Sequence, residues 1–207
     1  MEPQDVALVE RAKQGDVRAF ERLAARYKDR IFGYLCRMCG DASEAEDLCQ
    51  EVFVRAFVSV RRFRGAATFQ TWLYRIATNM AVDALRKRRR SEGVPLSLDE
   101  PMAAGEGEVE REIADDETPH ETVEVRELQA EVARAIQSLS DKLRPVVIMF
   151  DIQGLTYEEI AEALGCPLGT VKSRLFNARM QLRARLAQYI KQGRLEASRQ
   201  EGSGESR

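Results

Sequence analysis

Two helical patterns separated only by Gly165-Cys166-Pro167 constrain this chain more than any other feature. The run Thr156 to Leu164 reads as a short helix capped at its first residue. From Leu168 onward, Val171, Leu175, Ala178, Leu182 and Leu186 recur at steps of three and four, which gives a second helix one apolar stripe. Helices joined by so tight a Gly-containing turn form a helix-turn-helix, whose second helix offers its N-terminal part to the DNA major groove. Off the stripe stand Thr170, Lys172, Ser173, Arg174, Phe176, Asn177 and Arg179, a set with donors, cations and one apolar face. An ordinary solvated helix hairpin is the alternative, but the small, polar and cationic residues gather at the inserting end.

The same period runs through most of the chain. Phe20, Leu23, Ala24, Tyr27, Ile31, Tyr34, Leu35 and Met38 line one face of a helix over residues 17–39, and residues 5–14 form a shorter helix before it. Ser43 with Glu46 fits a capping box that starts a helix running to about Val60. After the loop Phe63-Arg64-Gly65-Ala66-Ala67, Thr68 caps a long helix in which Phe69, Leu73, Ile76, Ala77, Met80, Ala81 and Ala84 face inward. That helix ends in Arg86-Lys87-Arg88-Arg89-Arg90. Its dipole favours cations there, but five in succession exceed what capping needs and point to phosphate contact. Periodicity resumes at Val123, Leu128, Val132, Ala135 and Ile136, and a further apolar segment covers residues 146–152, with Pro145 near the start of a helix. The polar stretch after Gly193 is expected to fray.

Charge divides the chain in three. Residues 1–90 carry 18 Lys/Arg against 12 Asp/Glu, residues 91–127 carry 2 against 13, and residues 128–207 carry 12 against 9. Two basic parts flank an acidic connector rich in Gly, Pro and Ser, a composition that stays disordered unless bound. The expected architecture is all-α. Two small helical domains over residues 1–90 and 122–192 are joined by a flexible acidic linker over 91–121, and residues 193–207 form a disordered tail.

No apolar run is long enough to span a membrane and the N-terminus lacks signal-peptide features, so the expected location is cytoplasmic, without membrane insertion. Cys36-x-x-Cys39 has a zinc-compatible spacing, but no second such pair exists and the one histidine, His120, lies in a polar stretch. Cys36, Cys39, Cys49 and Cys166 are read as small buried or half-buried side chains, a redox or metal role for the first pair being the alternative. No catalytic residue, cofactor or metal is expected. A nucleotide-acting enzyme finds no His-based site or phosphate loop here.

The motifs Phe63-Arg64-Gly65, Thr71-Trp72-Leu73-Tyr74-Arg75-Ile76-Ala77, Asn79, Gly154 to Ala161 and Gly169 to Phe176 together resemble extracytoplasmic-function (ECF) sigma factors of the sigma-70 family, the sigma-E subgroup above all. The resemblance covers about residues 5–90 and 122–190. It identifies the first domain with sigma region 2 and the second with sigma region 4. It implies a transcription initiation factor that directs core RNA polymerase to promoters and opens DNA without covalent chemistry. Such a factor binds promoter duplex poorly on its own.

What the resemblance implies for individual residues is specific. Asp47, Gln50, Glu51 and Phe53 match the surface that binds the clamp helices of the polymerase's largest subunit, with Phe53 either its apolar anchor or simple core. Phe63, Arg64, Arg75, Asn79, Asp83, Arg86, Arg88 and Arg89 match the segment that recognises the −10 element. There Phe63 and Asn79 hold a flipped base, and Arg75 and Arg86 hold the backbone. Trp72 is either a stacking wedge or core. Lys172, Ser173, Arg174 and Phe176, with their neighbours Thr170, Asn177 and Arg179, read the −35 element in a domain that also meets the polymerase β flap. Relatives place Arg where this chain has Phe150 and Asn177, which implies a lost phosphate contact and a different −35 preference. The acidic linker matches the connector that threads toward the RNA exit channel, a merely solubilising spacer being the alternative. An anti-sigma factor is the further partner implied. A self-sufficient operator-binding helix-turn-helix regulator is the competing reading, and it has no use for a base-capturing Phe63–Arg90 block.

Overall fold

The structure, a computed structural model, describes residues 3–91 and 123–203, so the acidic linker lies outside the described residues apart from Ser91. Every regular element among them is a helix: α1 (Pro3–Lys13), α2 (Val17–Cys39), α3 (Ala42–Ser59), α4 (Phe69–Ser91), α5 (Val123–Gln137), α6 (Arg144–Val147), α7 (Tyr157–Leu164) and α8 (Leu168–Ser203). A 3₁₀ turn at Val60–Arg62 follows α3, and α6 runs into a wider π turn at Ile148–Ile152.

Local chemistry sets the ends. The Asp16 carboxylate accepts from the Ala19 amide at 3.1 Å to start α2, and Gly40 ends it with a left-handed φ of 77°. The cap of α3 is Asp41, whose carboxylate accepts from the Glu44 amide at 2.7 Å, and not Ser43 as the sequence suggested. Asp41 directly follows the Gly40 turn, which leaves Ser43 already inside the helix. Thr68 starts α4 by accepting from the Thr71 amide at 3.0 Å. Thr156 and Glu159 form a reciprocal capping box on α7, and Pro145 stands in the first turn of α6. Helix α8 continues past Gly193 to Ser203, where the sequence reading expected a frayed tail.

In the N-terminal unit, α2 is the central rod. Leu23, Ile31, Tyr34, Leu35 and Met38 are fully buried against Phe69, Leu73, Tyr74, Ala77 and Ala81 of α4 and Ala45, Val52 and Ala56 of α3. In the C-terminal unit, Val171, Leu175 and Ala178 of α8 are buried with Ile160 and Ala163 of α7 and Val146 to Met149.

The two units also pack on each other, which the two-domain reading did not foresee. Buried residues from both form one hydrophobic cluster, with α4 against α7 and α2 against α5. Polar groups complete the contact. The Tyr74 hydroxyl donates to Gln153 Oε1 at 2.7 Å, and Gln137 Nε2 donates to the Arg37 carbonyl at 2.6 Å. Gln137 comes so close to the end of α2 that a Cβ on residue 40 would lie 2.9 Å from its side chain, a second reason for Gly40. The fully buried Arg144 donates to the Met38 carbonyl at 2.6 Å, to the Leu139 carbonyl at 2.9 Å and to the Gln137 carbonyl.

The capping box that starts the helix-turn-helix is open to solvent, so its worth is measurable without disturbing the core. Thr156→Ala is expected to lower stability by about 1 kcal/mol in urea unfolding, and Thr156→Ser to stay near neutral.

Candidate nucleic-acid interface

Consecutive residues on an α-helix are set 100° apart, so the five-residue basic run of α4 cannot share one face. Arg75, Asn79, Asp83, Lys87 and Arg90 are exposed and follow each other at three- and four-residue steps. Together they form one polar stripe along α4. Asp83, Lys87, Arg90 and Ser91 line an open surface cleft at its end. Arg86 is half-buried beside it. The structure turns two of the expected phosphate ligands away from the stripe. Arg88 pairs with Glu44 at 3.3 Å, and Arg89 pairs with Asp141 at 2.8 Å with both side chains nearly covered. Lys87, part of the basic run but not of the −10 set that the resemblance implied, lies exposed on the stripe. Helical phase, read from Asn79 onward, shows that placement.

At the start of α4, Phe63 is only 6% exposed. Its ring lies 5.1 Å from that of Trp72 and 6.2 Å, edge-on, from that of Phe69. Trp72 is half-buried against the core and also contacts Phe69 at 5.6 Å, so its place is in packing. The three rings make a wall beside the exposed Arg64. Phe63 can back a pocket there but does not protrude as a free stacking platform.

The turn of the helix-turn-helix depends on Gly165 in the left-handed region, with φ of 61°. Beyond it, Lys172, Ser173, Phe176, Asn177 and Met180 are exposed on one side of α8, and Phe176 is 66% exposed. An apolar ring that open, in line with a lysine and an amide, suits contact with a base edge or thymine methyl. Met180 joins this face two turns along and was not anticipated. Thr170 is half-buried and its carbonyl accepts from the Ser173 hydroxyl at 3.1 Å. Arg174 is half-buried, with Nη1 3.9 Å from the Cys166 sulfur.

Arg179 is held from below. Its Nε donates to Asp151 Oδ2 at 3.1 Å, its Nη2 pairs with the other carboxylate oxygen, and its guanidinium lies 5.2 Å from the centre of the Phe150 ring. Phe150 stacks on Tyr157 with ring centres 4.6 Å apart, and Lys172 Nζ lies 5.7 Å from the Tyr157 ring centre. Two aromatic rings thus support two cations at the foot of the reading helix, each by cation–π attraction.

A third exposed face runs along α3, where Asp47, Gln50, Glu51, Val54 and Val58 follow one another at helical spacing. Glu51 also pairs with Arg55 at 2.7 Å. Phe53, expected to be the apolar anchor of this face, is instead half-buried against the core, one helical step off the stripe. Val54 and Val58 supply the exposed apolar surface.

Comparison with known proteins falls on the same two units. The family model for Sigma-70 region 2 matches residues 23–91, and that for Sigma-70, region 4 matches residues 129–182. The RNA polymerase sigma-H factor of Pseudomonas aeruginosa is 40% identical over 85% of this chain and 90% of its own length. The ECF RNA polymerase sigma factor SigW of Bacillus subtilis is 38% identical over 86% of this chain and 94% of its own. For the ECF RNA polymerase sigma-E factor of Escherichia coli the values are 37%, 84% and 90%. Among solved structures, CnrH in complex with the cytosolic domain of CnrY has a TM-score of 0.66 at 25% identity, over 89% of this chain and 97% of that one. The sigma factor RpoE of Bartonella quintana, in complex with the anti-sigma factor NepR, shares the fold, with a TM-score of 0.63 at 23% identity over 83% of this chain and 98% of that one.

Cys166 lies in the turn before α8, beside Arg174, and the other three cysteines lie away from these faces. Cys36, Cys39 and Cys49 are buried, and burial pushes the Cys39 thiol up to about 12 and the Cys49 thiol up to about 11. Among the described residues no three His, Cys, Asp or Glu side chains gather as a metal site would require. At pH 8 Cys39 and Cys49 both stay thiols, which makes them poor nucleophiles. Alkylation of the folded chain with iodoacetamide, followed by mass spectrometry, is therefore expected to label the half-buried Cys166 first. The other three should react only on unfolding.

Proposed function

Because the chain belongs to the extracytoplasmic-function group of RNA polymerase sigma factors, we propose that it reads its promoters through the two exposed faces of α4 and α8. It is a transcription initiation factor that directs core polymerase to promoter DNA. The reading of its sites rests on one observation: α4 and α8 each carry an exposed stripe in which hydrogen-bonding and cationic side chains share a helix face.

On α4, the −10 strand runs along Arg75, Asn79, Lys87 and Arg90, with a flipped base held between the Asn79 amide and the aromatic wall backed by Phe63. The reaction is a conformational one. Unstacking a base costs a few kcal/mol, and pocket burial with stacking returns roughly 1–3 kcal/mol per base, so a few such contacts with backbone cations suffice to hold the open strand. No bond is made or broken, and the chain is not an enzyme. On α8, Lys172, Ser173, Phe176 and Asn177 enter the −35 major groove, while Arg179, fixed on Asp151 and Phe150, meets the flanking backbone. The Asn177 amide pairs best with an adenine edge.

The α3 stripe of Asp47, Gln50, Glu51, Val54 and Val58 is the surface for the clamp helices of the largest polymerase subunit. Its carboxylates fit a basic partner and its two valines a shallow apolar contact. The C-terminal unit meets the β flap. An anti-sigma factor is a natural regulator, as the Bartonella quintana complex illustrates for its own sigma factor. No helix among the described residues is long and apolar enough to cross a membrane, and a partner of RNA polymerase works in the cytoplasm.

Promoter opening by the reconstituted holoenzyme, followed by permanganate reactivity of −10 thymines, tests the assignment. Asn79→Ala is expected to reduce opening at least tenfold with core affinity unchanged; a parallel loss of core affinity would refute it. Helical phase is tested by salt. Replacing Lys87 and Arg90 together by Ala should lower the salt slope of holoenzyme–DNA binding by about 2, since each phosphate contact contributes close to one. Arg88→Ala, which removes a cation already paired with Glu44, should leave that slope nearly unchanged.

A further inference from the structure

Arg61 and Arg62, in the 3₁₀ turn after α3, belong to none of the faces described above. We infer that with Arg64 they form a further binding site for single-stranded DNA, which takes the phosphates of the opened strand just downstream of the flipped base. This inference rests on the −10 reading proposed above and extends it beyond the pocket.

The turn dictates how these side chains are presented. Residues three apart eclipse each other in a 3₁₀ turn, so Val60 and Phe63 share its inner side, and both are buried. Arg61 and Arg62, between them, are left on the solvent side and are exposed. Phe63 is extended, with φ of −66° and ψ of 114°. The exposed Arg62 and Arg64 on either side of it therefore have Cα atoms about 7 Å apart, which is close to two steps of about 3.4 Å between phosphates of one strand. Arg61 reaches the turn between α1 and α2, where a Cβ on Gly15 would lie 3.3 Å from its Nη2, so the glycine leaves room for the guanidinium. Among the described residues Arg61, Arg62 and Arg64 form no ion pair. Asp16, which follows Gly15, is already held by Arg11 at 2.6 Å and by the Ala19 amide.

Position and charge select the ligand. An α-helix rises about 1.5 Å per residue, so the stripe from Arg75 to Arg90 supports about 22 Å of strand. Helix α4 begins at Phe69, so its phosphate support ends about where the aromatic wall begins. The chain continues from the C-terminal end of α4 to the unit that reads the −35 element. The Arg90 end of the stripe therefore faces the upstream duplex, and the Phe63 end faces the downstream strand. A strand leaving the Phe63 wall in that direction meets Arg64, Arg62 and Arg61 next. Three cations within four residues are a strong local field for such a polyanion. An acidic protein surface is the other ligand that suits them. The neighbouring α3 stripe argues against it, since Asp47 and Glu51 fit a basic partner, which Arg61 and Arg62 would repel.

The test uses holoenzyme reconstituted with the full chain and two fork DNAs that share a −35 duplex and a single-stranded −10 element. The short fork ends with that element, and the long fork continues single-stranded for eight nucleotides downstream. Replacing Arg61 and Arg62 together by Ala should leave affinity for core polymerase and for the short fork unchanged while weakening the long fork at least fivefold. It should also lower the long fork's salt slope by about 1.4, since each single-strand phosphate contact contributes about 0.7. Arg61→Lys with Arg62→Lys keeps both charges and should restore most of the loss. Circular dichroism confirms folding, and Arg62→Ala alone, with half the effect on the slope, replaces a pair that does not fold. A folded alanine variant that binds the long fork as the natural chain does would overturn the site. So would equal weakening on both forks, or a loss of core affinity, which marks an acidic polymerase surface as the ligand. Natural holoenzyme that binds the short fork no better than one with a scrambled −10 element removes the −10 reading, and this site with it. Preference for the true element together with an unchanged long-fork slope keeps that reading and removes the site alone.

Discussion

A single buried guanidinium joins the two halves of this molecule. Arg144 is fully enclosed, and its donors satisfy carbonyls at the C-terminal ends of two helices, Met38 on α2 and Gln137 on α5, together with Leu139 in the turn between α5 and α6. Those carbonyls are the ones a helix end leaves without an intrahelical partner, and the negative ends of both dipoles converge on the cation. Burial pulls the Arg144 pKa down to about 10, opposed by the nearby Asp141 carboxylate, so it keeps its charge at neutral pH. A charge so placed is tolerated only while every partner stays in register. The relation of α2, α5 and α6 is thereby fixed as a set.

The elements whose signal is local were readable in advance. Apolar steps of three and four marked α2, α4 and the α7–α8 pair, and Thr156, Thr68 and Pro145 sat where caps and helix starts need them. What was not readable depends on through-space partners. Nothing in the sequence near Arg89 shows that it meets Asp141, or that Gln153 and Tyr74 meet across the unit boundary. The same limit explains the candidate site. A basic run looks like one patch when read as letters, but the helix distributes it over three directions, and only Lys87 and Arg90 join the Asn79 stripe. Phe53 lies half-buried for a similar reason, because one step along α3 separates the exposed stripe from the core-facing one.

The division of labour on the C-terminal unit follows from packing as much as from motif. The Phe150 ring carries Arg179 on its face while Asp151 fixes the guanidinium from the side. A side chain held by two partners loses little further freedom on meeting a phosphate, so the support lowers the entropic cost of the contact. Phe176 and Asn177, by contrast, project into solvent from α8, and the proposed reading assigns the sequence preference to them.

Transcription reconstituted from core polymerase, this chain and a library of randomised promoters bears most directly on the central claim. Transcripts that require the chain, arising from templates that share a −10 and a −35 sequence at fixed spacing with adenine favoured opposite Asn177, are the predicted result. Transcription that is indifferent to the chain, or tight operator-like binding to duplex DNA with no need for core polymerase, would contradict it.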